Sequence, residues 1–249
     1  MEIVILGSGT AMPVKDHSPA GILIINEGHP FLLDIGPGTL TRLSQTEISF
    51  DKLDFLLSTH LHPDHTLDLA TLLQVFDSAP DSRRISPFTI IGCKGTKDFV
   101  DRLLLLFPEI TPQTYTLKIQ EVFQDEFNLF GLKVKSAPTG HTPYSVAYSL
   151  QNQKYKIAYS GDAAPQGDLI TLAADADILI CECSFPSGWE SNEHLNADSL
   201  GRIASEAGVK SLIVTHCYPP ALNIDLEKQI RHHYKGLIHL ALDGYRVTL

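Results

Sequence analysis

The chain has 249 residues, 43% of them apolar and 19% charged, and acidic groups exceed basic ones by 29 to 19 for a formal net charge of −10. That length supplies a large buried core and excludes a coiled coil, a disulfide mini-scaffold and a disordered tail. The charge, with no Lys/Arg run longer than Arg83-Arg84, excludes a broad electrostatic grip on nucleic acid, which needs clustered cations, but leaves room for a small phosphate site. Histidine stands out, at 11 against four cysteines and one tryptophan.

Taken in order, Glu2 to Leu6, Gly21 to Ile25, Phe31 to Asp34 and Phe55 to Ser58 read as short buried strands separated by turn residues, so a sheet opens the fold. From His65 to Phe76, Leu69, Leu72, Leu73 and Phe76 recur at three- and four-residue spacing and predict an amphipathic helix; Phe99, Leu103 and Leu106 after Gly95 predict another. The longest apolar run, Leu103 to Phe107, lies in that second helix and is read as core; a homodimer contact along Phe99 to Phe107 is the alternative. Further strands are expected at Phe88 to Ile91, Leu132 to Ala137, Ser145 to Leu150, Lys156 to Tyr159, Ile178 to Cys183 and Ser211 to Thr215. Helices are expected from Ala197 to Ala207, stopped by Gly208, and from Asp225 to Tyr234. No linker divides the chain, so a single domain over 1–249 is expected, with helices outside layered sheets, either α/β or α+β. No segment reaches the roughly 20 apolar residues of a membrane span, and Met1 to Gly7 reads as a strand rather than a leader, which predicts a cytoplasmic protein without a membrane partner. Cys93, Cys181, Cys183 and Cys217 show no CxxC spacing and are read as reduced core thiols.

The segment Ser58-Thr59-His60-Leu61-His62-Pro63-Asp64-His65 packs three histidines and an aspartate directly after an apolar strand. At a strand end, His60 and His62 can project the same way, while Pro63 turns the chain so that Asp64 and His65, opening the next helix, point into a neighbouring volume. Two adjacent ligand sets can arise in this way. His141, Asp162 and His216 each follow a strand-like run through a small or hydroxyl residue, the pattern by which a rigid sheet presents several ligands along one edge.

His60-Leu61-His62-Pro63-Asp64-His65, with Asp34-Ile35-Gly36-Pro37-Gly38 before it and Gly140-His141, Gly161-Asp162 and Thr215-His216 after it, resembles the metallo-β-lactamase-fold hydrolases over nearly the whole chain. The likeness is greatest to the ribonuclease Z-like and short phosphodiesterase branch, in which the bridging carboxylate is the Asp of a Gly-Asp pair and a further histidine, here His194, precedes the final helix. The resemblance implies an α+β four-layer αββα sandwich. It also implies that His60, His62 and His141 hold one metal, that Asp64, His65 and His216 hold the other, and that Asp162 bridges them. Imidazole and carboxylate ligands without thiolate suit two divalent ions, Zn²⁺ first, with Mn²⁺ or Fe²⁺ as substitutes. A hydroxide shared between two such ions is the implied nucleophile, with Asp64 as its orienting base and His194 as the donor to the leaving group. Glu182 and Glu193 are both candidates to hold His194. Asp34 is read either as a carboxylate that fixes the tautomer of a ligand histidine or as an ordinary turn cap.

One departure from the branch bears on substrate. Bacterial tRNA-processing ribonuclease Z carries a long arm between the third metal histidine and the bridging Asp, whereas His141 and Asp162 are only 21 residues apart here. With the acidic balance, this predicts a small phosphodiester, such as a cyclic nucleotide, as substrate and no extended nucleic-acid surface. The alternatives are a ribonuclease Z-like RNA endonuclease, a lactonase or thioesterase using the same metals, and a non-enzymatic metal-binding protein. Trp189 and Phe185, in a Gly- and Pro-containing segment before His194, are read either as a stacking surface for a base or as loop anchors.

Overall fold

The computed structural model describes residues 1–78 and 83–249. In the first half, β1 (Glu2–Gly7), β2 (Gly21–Asn26), β3 (His29–Ile35), β4 (Phe55–Ser58), β5 (Phe88–Cys93) and β6 (Leu117–Val122) pair in that order into one sheet. β1 to β3 form an antiparallel meander, and β3 to β6 run parallel. Between them lie α1 (Thr39–Leu43), α2 (Pro63–Thr66), α3 (Asp68–Ser78) and α4 (Thr96–Leu106). In the second half, β7 (Glu126–Leu129), β8 (Leu132–Pro138), β9 (Val146–Gln151), β10 (Lys156–Tyr159), β11 (Ile178–Glu182), β12 (Ser211–Thr215) and β13 (Leu237–Leu240) form a second sheet. It is antiparallel up to β10 and parallel beyond it. Its helices are α5 (Leu169–Leu172), α6 (Ala197–Glu206), α7 (Pro219–Leu222) and α8 (Leu226–Ile230), and β14 (Arg246–Thr248) returns to the first sheet beside β1.

The central strands read as unbroken apolar runs because both of their faces are covered. In β1, Ile3 and Ile5 point into the core between the sheets, while Val4 and Leu6 join the core under the helices. The inner core interleaves Phe31, Phe55 and Leu57 of the first sheet with Tyr148, Ile157, Ile180 and Ile213 of the second. Outside, Leu69, Leu72, Leu73 and Phe76 of α3 pack on the first sheet, and Leu200, Ile203 and Ala204 of α6 on the second. The layers therefore run α, β, β, α, the α+β sandwich expected.

Several elements differ from expectation. The helix predicted over His65 to Phe76 is divided at Leu67 into α2 and α3, and the Asp68 carboxylate at the start of α3 accepts the N–H groups of Gly38 and Leu40 at 3.0 Å each. Reading Leu103 to Leu106 as core is corrected: Leu103 and Leu104 pack on the outer core, but Leu105 and Leu106 are 80% and 70% exposed. Successive residues advance about 100° around a helix, so four in a row cannot share one face. The last expected helix ends at Ile230 rather than Tyr234. β6, β7, β13 and β14 were not anticipated; as edge or near-edge strands they carry polar residues, such as Lys118, Gln120 and Glu121, that blur the apolar signal. Asn196 caps α6 in a reciprocal capping box with Ser199, and all four cysteines are free and buried, as read from their spacing. No helix among the described residues is long and apolar enough to cross a membrane.

The parallel strands also bring chemistry to one place. β4, β8, β10, β11 and β12 end at the same edge of the sandwich, and His60, His141, Asp162, Glu182 and His216 lie at or just beyond those ends.

Candidate metal centre

After β4 the chain stays extended through His62, and Pro63 then opens α2 at a position where its missing N–H costs nothing. His60 and His62 consequently leave the strand end, while Asp64 and His65 sit in the first helical turn. The fold brings His141 and Asp162 to the first pair and His216 to the second, so that ligand-type atoms of His60, His62, His141 and Asp162 lie within 4.8 Å of one another, as do those of Asp64, His65 and His216. Asp162 faces both groups. Its Oδ1 is 3.2 Å from His65 Nε2 and from His216 Nε2, and its Oδ2 is 3.7 Å from His60 Nε2 and 3.6 Å from His141 Nε2.

The outer nitrogens of these rings decide what the inner ones can do. His65 Nδ1 donates to Asp34 at 2.8 Å, and His141 Nδ1 donates to the Glu193 carbonyl at 2.9 Å. Thr59 Oγ1 donates to Asp34 and can therefore accept from His60 Nδ1 at 3.0 Å. In the neutral ring each bond leaves Nε2 as a lone pair aimed inward, the state a metal ion requires. The inward atoms lack ordinary partners: His60 Nε2 and Asp162 Oδ1 are buried without a hydrogen bond, and His141 Nε2 confronts His62 Nδ1 at 3.2 Å. Buried lone pairs facing one another in an imidazole and carboxylate set fit divalent cations.

Asp34 is fully buried at a left-handed φ of 56° and acts as the hub of this support, which resolves its two readings toward tautomer control. It also accepts from the Thr59 N–H at 2.7 Å and the Tyr159 hydroxyl at 2.9 Å. Gly161 is required beside it, because a Cβ there would come within 2.5 Å of the Thr59 side chain. Replacing Asp34 by Asn is expected to weaken metal affinity about 10- to 100-fold, since the amide cannot accept all of these donors. Competition with a chromophoric chelator measures this, and an unchanged affinity would refute the role assigned to Asp34.

The charges are interdependent. Burial raises the Asp162 carboxyl, but His216 and His65 hold it well below the usual carboxylate range. His65 resists protonation by burial, yet Asp162 and Asp34 push it well above the usual imidazole value, while burial and the neighbouring His65 push His60 well below it. A cation must displace the proton that His65 favours, so metal affinity falls as pH falls.

His194 sits at the rim of the cluster, with Nδ1 3.0 Å from Glu182 Oε1 and 4.0 Å from Asp162 Oδ2. Glu182 is thus its acidic partner; Glu193 contributes its carbonyl to His141 instead. Burial disfavours the His194 charge, but the hydrogen bond and charge of Glu182, with Asp162 behind it, push its pKa up to about 9. Glu182 is buried and held by the Ala163 N–H at 2.7 Å and by the Ser184 hydroxyl.

Sequence reasoning did not single out Thr59, Tyr159, Ser184, Ser8 or Asp243. The first three adjoin quoted motifs, but Ser8 and Asp243 carry no local signal. His216, at a φ of 52°, donates its N–H to the Ser8 carbonyl at 2.7 Å. Ser8 in turn donates its N–H and hydroxyl to Asp243 at 2.9 Å each, and Arg42 pairs with that carboxylate at 3.1 Å. Cys217, beside His216, points its thiol to the Thr215 carbonyl rather than to the site.

Fold and site together define a metal-dependent hydrolase. The chain belongs to the beta-lactamase superfamily: the model of the Beta-lactamase superfamily domain matches residues 29–217. A ribonuclease Z of Ignicoccus hospitalis is 30% identical, the match covering 86% of each chain. Among solved structures, the metallo-beta-lactamase fold protein YhfI from Bacillus subtilis aligns with a TM-score of 0.86 at 22% identity, covering 99% of this chain and 98% of that one. The short form of human tRNase Z aligns with a TM-score of 0.81 at 22% identity, covering 100% and 99%.

Proposed function

We propose that the protein is a phosphodiesterase that hydrolyses small phosphodiesters, cyclic nucleotides or similar, with two divalent cations. His60, His62 and His141 would hold one cation and Asp64, His65 and His216 the other, with Asp162 between them. Zn²⁺ suits this donor set, and Mn²⁺ or Fe²⁺ are substitutes. When bound, such a pair supplies an acidified water and a clamp on the phosphoryl oxygens. Asp64 is the orienting base for the water: burial raises its carboxyl, but His216 and His65 hold it below the usual range and therefore ionised.

The observation that carries the reading is the His194–Glu182 pair. Nδ1 is committed to Glu182, which leaves Nε2 to deliver a proton, and a departing alkoxide needs one. Small diesters are favoured over folded RNA because the stretch from His141 to Asp162 is taken up by β9, β10 and their tight connection, which leaves no length for a protruding arm. The acidic balance supports the same choice. An RNA endonuclease of the ribonuclease Z kind is the second reading, favoured by the 30% identical relative of that name.

Protein reconstituted with Zn²⁺ or Mn²⁺ is expected to turn over bis-(p-nitrophenyl) phosphate and dinucleotides faster than a tRNA precursor, and to leave a lactone untouched. No phosphodiester turnover with either metal would sink the proposal. Preferred cleavage of the tRNA precursor would establish the second reading, and lactone turnover alone would indicate carbonyl chemistry.

A further inference from the structure

Tyr218, Phe185 and Trp189 form one stack that begins at the site and ends in solvent. The Phe185 ring lies 4.9 Å from Trp189 at an interplanar angle of 6°, and 5.5 Å from Tyr218 at 15°. The inner rings meet His194 edge-on: Phe185 at 6.1 Å and 83°, Tyr218 at 5.9 Å and 70°. Tyr218 is also edge-on to His216, at 5.9 Å and 80°. At the outer end, Trp189 is 46% exposed.

Slack in the loop does not account for that exposure. Phe185 exchanges backbone hydrogen bonds with Leu195 and Ala197. The Ser187 hydroxyl and the Gly188 N–H both donate to Asp198, at 2.9 and 3.2 Å, and the Ser187 N–H donates to Gln229 at 2.7 Å. Asn196, the α6 cap, donates its side-chain amide to the Trp189 carbonyl at 2.7 Å. The backbone that carries Phe185 and Trp189 is thus held and their rings stack on each other, and a preordered aromatic face loses little entropy when something stacks on it.

The electrostatics of the site narrow what that is. Among the described residues, no lysine or arginine forms an ion pair with Asp34, Asp64, Asp162 or Glu182; their charged partners are histidines. Bound cations would take the scissile phosphate, so the rest of the substrate must be gripped without charge. His194, which protonates the departing oxygen in the reading above, abuts the stack, so the leaving group departs along the rings.

We infer that the Tyr218–Phe185–Trp189 stack is a subsite for the nucleobase of the leaving group, making the favoured substrate a phosphodiester whose departing alcohol is a nucleoside. The inference rests on the phosphodiesterase reading. Trp189 is the chain's only tryptophan, so its fluorescence reports on the subsite directly. Adenosine 5′-monophosphate should quench it saturably in metal-loaded protein, whereas ribose 5-phosphate should not. In parallel, kcat/KM is compared between an adenosine dinucleotide and the methyl phosphodiester of ribose, in which neither alcohol carries a base. Trp189→Ala should lower the preference for the dinucleotide about tenfold, the size of one stacking contact, and Trp189→Phe should restore most of it. Equal effects on both substrates, or equal quenching by the two monophosphates, would overturn the subsite. If wild-type protein hydrolyses neither diester, the phosphodiesterase reading fails, and the fluorescence titration still decides whether a base is bound.

Discussion

Asp162→Asn is expected to lower the proposed phosphodiester turnover by about 10³-fold or more, because a pair of cations held there would supply several kcal/mol of charge stabilisation and each 1.36 kcal/mol is tenfold. The carboxylate presents Oδ1 to His65 and His216 and Oδ2 to His60 and His141. An amide offers an acceptor to only one of those sets and turns N–H donors toward the other. Metal stoichiometry, measured by elemental analysis after dialysis, should fall together with activity. A variant that retains its metal content and full turnover would refute the role given to Asp162 between the two ligand sets. A pH effect accompanies this in chelator-treated wild-type protein. Asp162 is held well below the usual carboxylate range, so its contribution to stability is present above the unfolded value near 4 and is lost as pH falls through the folded value.

His194→Ala is expected to cost about 10²- to 10⁴-fold on diesters with alkoxide leaving groups, the range for a positioned general acid. Loss on p-nitrophenyl esters should be much smaller, because that leaving group departs without a proton. With a pKa of about 9, the imidazolium is the major form at lower pH, so alkyl diester turnover should fall as pH rises through that value. Cations held beside Asp162 would oppose the proton, which would place the limb of the loaded enzyme at or below about 9. Glu182→Gln should move it lower still, since Glu182 is the principal group raising it. For folding, the sign is that of a raised base: the stabilisation is complete below the unfolded value of about 6.5 and is lost as pH rises through about 9. Equal losses of activity on alkyl and p-nitrophenyl esters would refute the proton-donor role.

What was legible in the sequence was local. The window from His60 to His65 holds its ligand types within one strand end and one helical turn, so their density signals a site without any knowledge of partners. Asn196 is readable as a cap for the same reason, since its partner Ser199 is three residues away. Central strands were legible because both of their faces are apolar; edge strands such as β6, polar on one side, were not. Leu103 to Leu106 misled because an apolar run states hydrophobicity without stating which side of the helix meets the core.

The choice between Glu182 and Glu193 shows where local information ends. Glu193 adjoins His194 in the chain, yet it is Glu182, at the end of β11, whose side chain reaches the ring. That is set by the pairing of β11 with β10 and β12 and by which face of β11 the residue occupies. The support of His216 runs through Ser8 to Asp243, a hydrogen bond spanning 235 residues, and no spacing rule can anticipate it.

By itself, then, the sequence determined the family and the residue types of the candidate ligands, because metal chemistry selects residue types and local geometry selects their spacing. Tertiary structure alone decided that Asp162 faces both sets, that Asp34 locks the tautomers, that Glu182 charges His194, and that three separate aromatics align beside it. Each of these depends on register and sidedness between elements distant in the chain, and those are fixed only when the two sheets pack face to face.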